Sequence, residues 1–187
     1  MKKALVISGG GSKGAFAGGV AQYLINNENK EYDIFVGTST GSLMVSHLAL
    51  GKLEDLKKLY TNVNQKTIFS NNPFKIKNID GEKVISIRHL NTLWNFLNGR
   101  KTFGESKNLR TLIKKHITKN MYHEIREKNK NVVVTVSNLT TNQIEYKTID
   151  ECTYDDYCDW IWASCNYVPF MSLLEKNNCQ YADGGFG

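Results

Sequence analysis

The chain has 187 residues, of which 41% are hydrophobic and 11% aromatic, which suits a single domain with a sizeable core. This composition excludes a globally disordered chain, and no stretch approaches the roughly 18 uninterrupted apolar residues of a membrane-spanning helix. The net charge of +6 is unevenly placed: residues 1–147 carry 23 basic and 11 acidic side chains, and residues 148–187 carry one and seven.

The basic excess has two interpretations. It can serve only solubility, which is the simpler explanation from composition alone. It can also attract an anionic membrane surface. Twenty of the 24 basic residues are Lys, whereas base recognition favours the forked Arg side chain, so nucleic acid is not an expected partner.

The first 60 residues alternate between strand and helix patterns. Short apolar runs at residues 4–8 and 33–37 are typical of buried strands. Helical spacing of apolar residues follows at 15–25, 41–50 and 52–60. This alternating order predicts an α/β fold in which helices cover a parallel sheet.

The middle of the chain is more polar. Residues 62–120 are predicted to form a helical, loop-rich, cap-like insertion. Within it we expect loops over residues 62–105 with one helix near 84–98, and then a helix over 108–118. The lysines of that last helix are interpreted as its solvated face.

The last third of the chain returns to strand and helix patterns. Predicted strands lie at residues 132–136, 143–148 and 180–182, with a largely buried helix at 154–165. All four cysteines fall in this third, and their spacing matches no zinc motif, so we expect free thiols and no metal. Cys158 and Cys165 lie on one helical face and are predicted core residues.

A glycine-rich loop, Gly-Gly-Gly-Ser-Lys-Gly at residues 9–14, joins the first predicted strand to the first helix. Its backbone N–H groups, aided by the helix N-terminus, suit an oxyanion or a phosphate. Gly9, Gly11 and Gly14 also match the dinucleotide-binding pattern G-x-G-x-x-G. That pattern requires an acidic residue at the end of the second strand to hold the ribose, but Ser39 stands there instead.

Ser39 is the centre of a second motif, G-x-S-x-G. Gly37 and Gly41 flank it, and the motif lies between a predicted strand and a predicted helix, as a nucleophile elbow requires. The simpler alternative is that Ser39 only caps the helix. A nucleophilic serine needs a base, but the histidines are poorly placed. None follows residue 123, and His47 lies two helical turns beyond Ser39.

A third motif offers a different base. Residues 181–185 read Tyr-Ala-Asp-Gly-Gly, which places Asp183 at the end of an apolar stretch, followed by Gly184 and Gly185. In a parallel sheet a strand-end Asp would share the crevice of Ser39. The alternative is an ordinary turn aspartate beside glycine.

In this order the three motifs resemble the patatin-like phospholipases, and the resemblance covers nearly the whole chain, including Ala163-Ser164 followed by Pro169. It implies a three-layer α/β/α sandwich with a mainly parallel central sheet, formed by one catalytic domain over residues 1–187. It implies a dyad in which Ser39 is the nucleophile and Asp183 the base. The amides of Gly10 and Gly11, with the loop around Lys13, would form the oxyanion hole.

The resemblance therefore implies a lipid acyl hydrolase, of phospholipase A or esterase type, that works through an acyl-enzyme without a cofactor. An acyltransferase would use the same residues. The alternatives are a dinucleotide- or anion-binding Rossmann-like protein and a non-catalytic membrane- or partner-binding module. We expect a cytoplasmic protein. The alternatives are peripheral association with a membrane and export as an effector. Family members continue past Asp-Gly-Gly, so the C-terminus at Gly187 is expected to be truncated relative to them.

Overall fold

The computed structural model describes residues 1–186, so the expected truncation at Gly187 lies outside the described residues. The strands are β1 Ala4–Ile7, β2 Ile34–Thr38, β3 Phe74–Ile79, β4 Glu82–Ile87, β5 Asn131–Asn138, β6 Gln143–Thr148, β7 Leu174–Lys176 and β8 Cys179–Asp183. The α-helices are α1 Gly14–Asn26, α2 Thr40–Ala49, α3 Leu53–Asn62, α4 Gln65–Ile68, α5 His89–Leu97, α6 Lys107–His116, α7 Lys119–Glu127 and α8 Tyr154–Ser164.

Helices flank a central six-stranded sheet, which confirms the predicted three-layer α/β/α sandwich. The sheet is mixed rather than mainly parallel. β1, β2 and β5 run parallel, whereas β6 and β8 are both antiparallel to β5, and β7 is antiparallel to β8. One reason is the tight turn after β5, where Asn142 takes a left-handed φ of 55° and returns the chain directly as β6.

The core lies between the sheet and the helices that pack on it. Val132, Val134 and Val136 of β5 are fully buried, as their continuous β-branched pattern predicts for a central strand. Cys158 and Cys165 are buried free thiols, which confirms their predicted place in the core.

The middle of the chain departs from the sequence prediction. The helix expected at 84–98 begins only at His89, because residues 84–87 belong to β4 of an antiparallel β3–β4 hairpin. Asp80 and Gly81 both have positive φ and form its turn, the Asp-Gly signal of a two-residue hairpin loop. Three further elements, the short helix α4, the helix α7 and the short strand β7, were not predicted.

Among residues 1–186, none of the helices combines the length and apolar character needed to cross a bilayer.

Candidate active site

Ser39 occupies the sharp turn between β2 and α2. Its φ of 54° and ψ of −127° lie in a region that non-glycine residues rarely adopt, so backbone strain is stored at this residue. The flanking glycines permit the close approach of backbones that the turn demands. A Cβ on Gly37 would lie 2.6 Å from the Gly41 carbonyl oxygen, and one on Gly41 would lie 2.2 Å from the Ile7 carbonyl oxygen.

Hydrogen bonds from distant parts of the chain hold this turn. The Ser39 N–H donates to Ser164 Oγ at 2.9 Å. The Ser39 carbonyl accepts from Ser42 Oγ at 2.6 Å and from Cys165 Sγ at 3.1 Å. Although Ser39 stands at the N-cap position of α2, its side chain makes no capping hydrogen bond. The backbone of Ser39 is therefore tied down while its hydroxyl stays free, which does not fit a helix-capping role.

Asp183, the last residue of β8, is 5% exposed. Its N–H donates to the Asn166 carbonyl at 3.0 Å, and its Oδ1 accepts from the Gly185 N–H at 2.9 Å. Burial is the largest influence on the carboxyl and raises its pKa, while the approach of the Ser39 hydroxyl and the Gly185 hydrogen bond lower it. The net result is a pKa above the ordinary aspartate value. The Ser39 hydroxyl lies close enough to Asp183 to affect the pKa of its carboxyl, and both residues line one cavity. The two side chains do not form a well-aligned hydrogen bond, a common state before substrate binds.

The register of β5 explains why these two residues meet. β6 occupies one edge of β5 from Val133 to Asn138, so β2 and β8 must share the other edge. On that edge Thr38 pairs with Thr135, and Asp183 pairs with the next residue, Val136. The C-terminal ends of β2 and β8 therefore meet along the same edge of β5.

This geometry corrects the route by which Asp183 was expected to reach the site. Its strand is not parallel to β2 but approaches from the opposite direction. Gly184 is needed at the junction, because a Cβ there would lie 2.4 Å from the Thr135 carbonyl oxygen.

The glycine-rich loop packs directly against the serine. A Cβ on Gly9 would lie 2.5 Å from Ser39 Cβ and 3.2 Å from its Oγ. A Cβ on Gly14 would lie 2.8 Å from Thr40 Oγ1, so the start of α1 also needs glycine. These contacts explain the positions of both glycines without a dinucleotide.

A single 3₁₀ turn, Gly11–Lys13, follows in the loop. Gly11 has a left-handed φ of 57°. The Lys13 N–H donates to the Gly10 carbonyl at 3.1 Å and is consumed within the turn. In the part of the chain that the structure describes, the N–H groups of Gly10 and Gly11 have no such acceptor. Any contribution of Lys13 to a bound anion must therefore come from its exposed side chain.

A cavity of about 870 Å³ opens beside these groups. Ser39, Asp183 and Gly9 to Gly11 line it together with mostly apolar side chains. Examples are Leu43, Val63, Ile68, Leu109, Ile113 and Met171. A volume of this size and a largely apolar wall with a few convergent polar groups are typical of a small-molecule site.

The histidines do not form a conventional triad. His47 is buried in α2, and its Nδ1 has no hydrogen-bond partner among the described residues. Burial, with a smaller contribution from nearby His116, lowers the pKa of His47 to about 4. His116 lines the cavity. Among residues 1–186, no histidine hydrogen-bonds to Ser39 or Asp183.

Sequence reasoning missed the residues that support the site from behind. Ser164 binds the Ser39 amide, and Asn166 binds the Asp183 amide through its carbonyl. Asn166 Oδ1 in turn accepts from Ser106 Oγ at 2.6 Å. Only the family-like Ala-Ser segment before Pro169 hinted at this region.

The comparison with known families agrees with this geometry. The patatin-like phospholipase family matches residues 5–187, and the chain belongs to that family. Family membership supports a lipid acyl hydrolase.

Among solved structures the chain is similar to VipD from Legionella pneumophila, with a TM-score of 0.61 and 17% sequence identity. The match covers 98% of this chain and 46% of VipD, so the chain spans about half the length of that protein. At this identity the similarity concerns the fold alone. No similar sequence was found among the curated proteins.

Proposed function

We propose that the protein hydrolyses acyl esters of lipids through a Ser39–Asp183 dyad. One observation carries the proposal. A serine in a strained strand-to-helix turn faces a buried carboxyl group at the wall of an apolar cavity. Family membership supports the same class of substrate.

Asp183 is proposed as the general base. As Ser39 Oγ attacks the ester carbonyl carbon, its proton passes to the Asp183 carboxylate. An ordinary aspartate is a weak base toward an alcohol, and the raised pKa of this buried carboxyl makes it a stronger one. The base would act directly, since among residues 1–186 no histidine hydrogen-bonds to Ser39 or Asp183.

The glycine loop is proposed as the oxyanion hole. The free N–H groups of Gly10 and Gly11 would donate to the negative oxygen of the tetrahedral intermediate, an effect of about 2.7–4 kcal/mol for one donor in other enzymes. The exposed Lys13 side chain is not among the residues that line the cavity, so it would add positive charge only from outside it. Gly9 allows the loop to lie this close to Ser39.

The intermediate then collapses, and the leaving alcohol takes the proton from Asp183. This leaves an acyl group on Ser39 Oγ. A water molecule gives a proton to the same carboxylate and attacks the acyl carbonyl. As the bond between the acyl carbon and Ser39 Oγ breaks, Asp183 returns the proton to Ser39 Oγ, so the fatty acid is released and both side chains are restored. An acyltransferase would differ only in using an alcohol instead of water at this step.

We interpret residues 62–120 as a cap on a single catalytic domain. Ile68 of α4, with Leu109 and Ile113 of α6, supplies apolar wall to the cavity from this region. An acyl chain lying along that wall would hold its carbonyl beside Ser39. The substrate class that fits is therefore an ester with a long apolar acyl group.

Labelling with a fluorophosphonate probe, followed by peptide mapping, tests the nucleophile. We expect label on Ser39, and none on the Ser39→Ala protein. As a control, Ser86→Ala removes an exposed serine from the remote β4 strand and should leave labelling intact. Unlabelled Ser39 in folded wild-type protein would overturn the proposal. Stabilisation by a nucleotide would then favour the anion-binding alternative, and vesicle binding without hydrolysis would favour the non-catalytic one.

A further inference from the structure

Helix α5 exposes its apolar face and turns its polar face toward the protein. Leu90, Leu93, Trp94 and Leu97 recur at helical spacing and form one apolar face, here called the outer face of α5. All four side chains are between 56% and 85% exposed. Such a face normally packs on a core, so its exposure requires an explanation.

A polar network fixes this orientation. Asn91 and Asn95 lie on the opposite side of the helix and point into the protein, where Asn95 is 2% exposed. Asn95 Oδ1 accepts from Asn71 Nδ2 at 2.9 Å, and Asn95 Nδ2 donates to the Phe103 carbonyl at 2.7 Å. Asn91 Nδ2 donates to Asn71 Oδ1 at 2.8 Å. Rotating the helix to bury its leucines would break all three bonds.

The surroundings of α5 are positively charged. Residues 74–101 contain six basic and two acidic side chains, and no acidic residue lies within α5 itself. Arg100 and Lys101 have ion-pair partners in Glu105 and Glu175. Among the residues that the structure describes, the basic side chains of this segment without an ion pair are Lys75, Lys77, Lys83 and Arg88. An exposed apolar helix face in a segment that carries unpaired cations fits a helix that lies in an anionic membrane interface.

The inner side of α5 is connected to the cavity. Phe96 packs on Phe103 with ring centroids 5.8 Å apart, and Phe103 packs on Phe170 at 5.6 Å. Phe170 stacks on Tyr167, which lines the cavity. A series of packed aromatic rings therefore links the inner side of α5 to the wall of the cavity.

We propose that the outer face of α5 docks the protein onto a bilayer containing anionic phospholipid. The leucines and Trp94 enter the interface, and the surrounding cations contact the headgroups. Trp is well suited to this depth because its ring is apolar and its N–H can remain hydrated. The inference rests on the proposed function for its purpose, which is delivery of lipid to the cavity, although docking itself needs no catalysis.

Native fluorescence can test docking, because Trp94 is exposed while Trp160 and Trp162 are each only 5% exposed. The protein would carry Ser39→Ala so that no hydrolysis products form. We expect a blue shift with vesicles of phosphatidylcholine and phosphatidylglycerol, and a much smaller one with phosphatidylcholine alone. The shift should disappear in a Trp94→Phe variant that still sediments with the vesicles. An unchanged spectrum at saturating anionic vesicles would overturn the proposal.

Vesicle sedimentation of charge variants provides an independent measurement. Trp94→Glu should weaken partitioning onto anionic vesicles by about tenfold or more. The matched control is Tyr146→Glu, which places the same charge at an exposed aromatic residue on β6. Equal binding of Trp94→Glu and wild type, or an equal loss in both variants, would contradict docking through α5. A buried Trp94 without vesicles, together with a dimeric mass, would assign the face to a second copy instead.

Activity measurements separate this inference from the proposed function. With Ser39 intact, Trp94→Glu should hydrolyse a water-soluble short-chain ester as wild type does, but should lose activity on phospholipid vesicles. If neither substrate is hydrolysed yet vesicles are bound through Trp94, the catalytic proposal fails and docking stands. If both substrates are hydrolysed equally well by both proteins, docking fails and catalysis stands.

Discussion

Replacing Gly9 by alanine tests the packing of the glycine loop on the nucleophile. The added Cβ would lie 2.5 Å from Ser39 Cβ, whereas nonbonded carbon atoms normally lie about 3.5–4.0 Å apart. The loop and Ser39 must therefore separate by about 1 Å. A displacement of about 1 Å at reacting groups can reduce the rate about 100-fold. This corresponds to about 2.7 kcal/mol of lost transition-state stabilisation.

The assay is kcat/KM for a soluble ester, with circular dichroism to establish that the variant is folded. Gly19→Ala is the matched control, because Gly19 lies within α1 and a Cβ there meets nothing within 4 Å. That control should retain full activity and gain about 0.5–1 kcal/mol of stability. Wild-type kcat/KM in the folded Gly9→Ala protein would refute the reasoning.

Three further predictions concern stability and pH. Asp183→Asn should abolish hydrolysis yet unfold at a higher temperature than wild type at pH 8. Because the pKa of Asp183 is raised, the folded state binds more protons than the unfolded state at pH values above the ordinary aspartate pKa. Wild-type stability therefore falls as the pH rises through that range. An Asn variant less stable than wild type at pH 8 would contradict this. Ser164→Ala removes the acceptor of the Ser39 N–H. It should lower the free energy of unfolding, measured in urea, by about 1–3 kcal/mol and should reduce kcat/KM. Unchanged values of both quantities would show that the hydrogen bond is dispensable. Because the pKa of His47 falls from 6.5 to about 4, the unfolded state binds more protons between these values. Wild type should therefore lose about 3 kcal/mol between pH 6.5 and 4, and His47→Leu should lack that loss.

The elements at the start of the chain could be predicted from short-range sequence patterns. The β1–loop–α1 and β2–elbow–α2 units depend on neighbouring residues: apolar runs, glycines at the turns, and helical spacing immediately afterwards. Each signal lies within about ten residues of the feature it predicts. Gly37, Ser39 and Gly41 therefore marked the turn between β2 and α2, which the structure places there.

Long-range pairing was harder to predict. No sequence signal near Asp183 indicates that β8 runs antiparallel to β5 and pairs with it beyond the end of β2, along the same edge. The direction of β8 is set by its pairing with β5, which lies about 45 residues earlier in the chain. The sheet was consequently expected to be mainly parallel.

The orientation of α5 shows another limit. The spacing of Leu90, Leu93, Trp94 and Leu97 alone is typical of a buried face. The structure turns it outward, because Asn91 and Asn95 find partners inside the protein. Periodicity identifies the two faces of a helix, but it does not say whether protein or another apolar phase covers them.

The hydrogen bond between the Ser39 amide and Ser164 has a consequence for when the proposed dyad can form. It joins residues 125 positions apart in the chain, and the carboxyl group that would activate Ser39 comes from a still later strand. A nascent or partly folded chain that contains the serine motif therefore lacks both its support and its base. On the proposed mechanism, the Ser39–Asp183 dyad would therefore form only after β8 has paired with β5, so hydrolysis would depend on the completed sheet rather than on the serine motif alone.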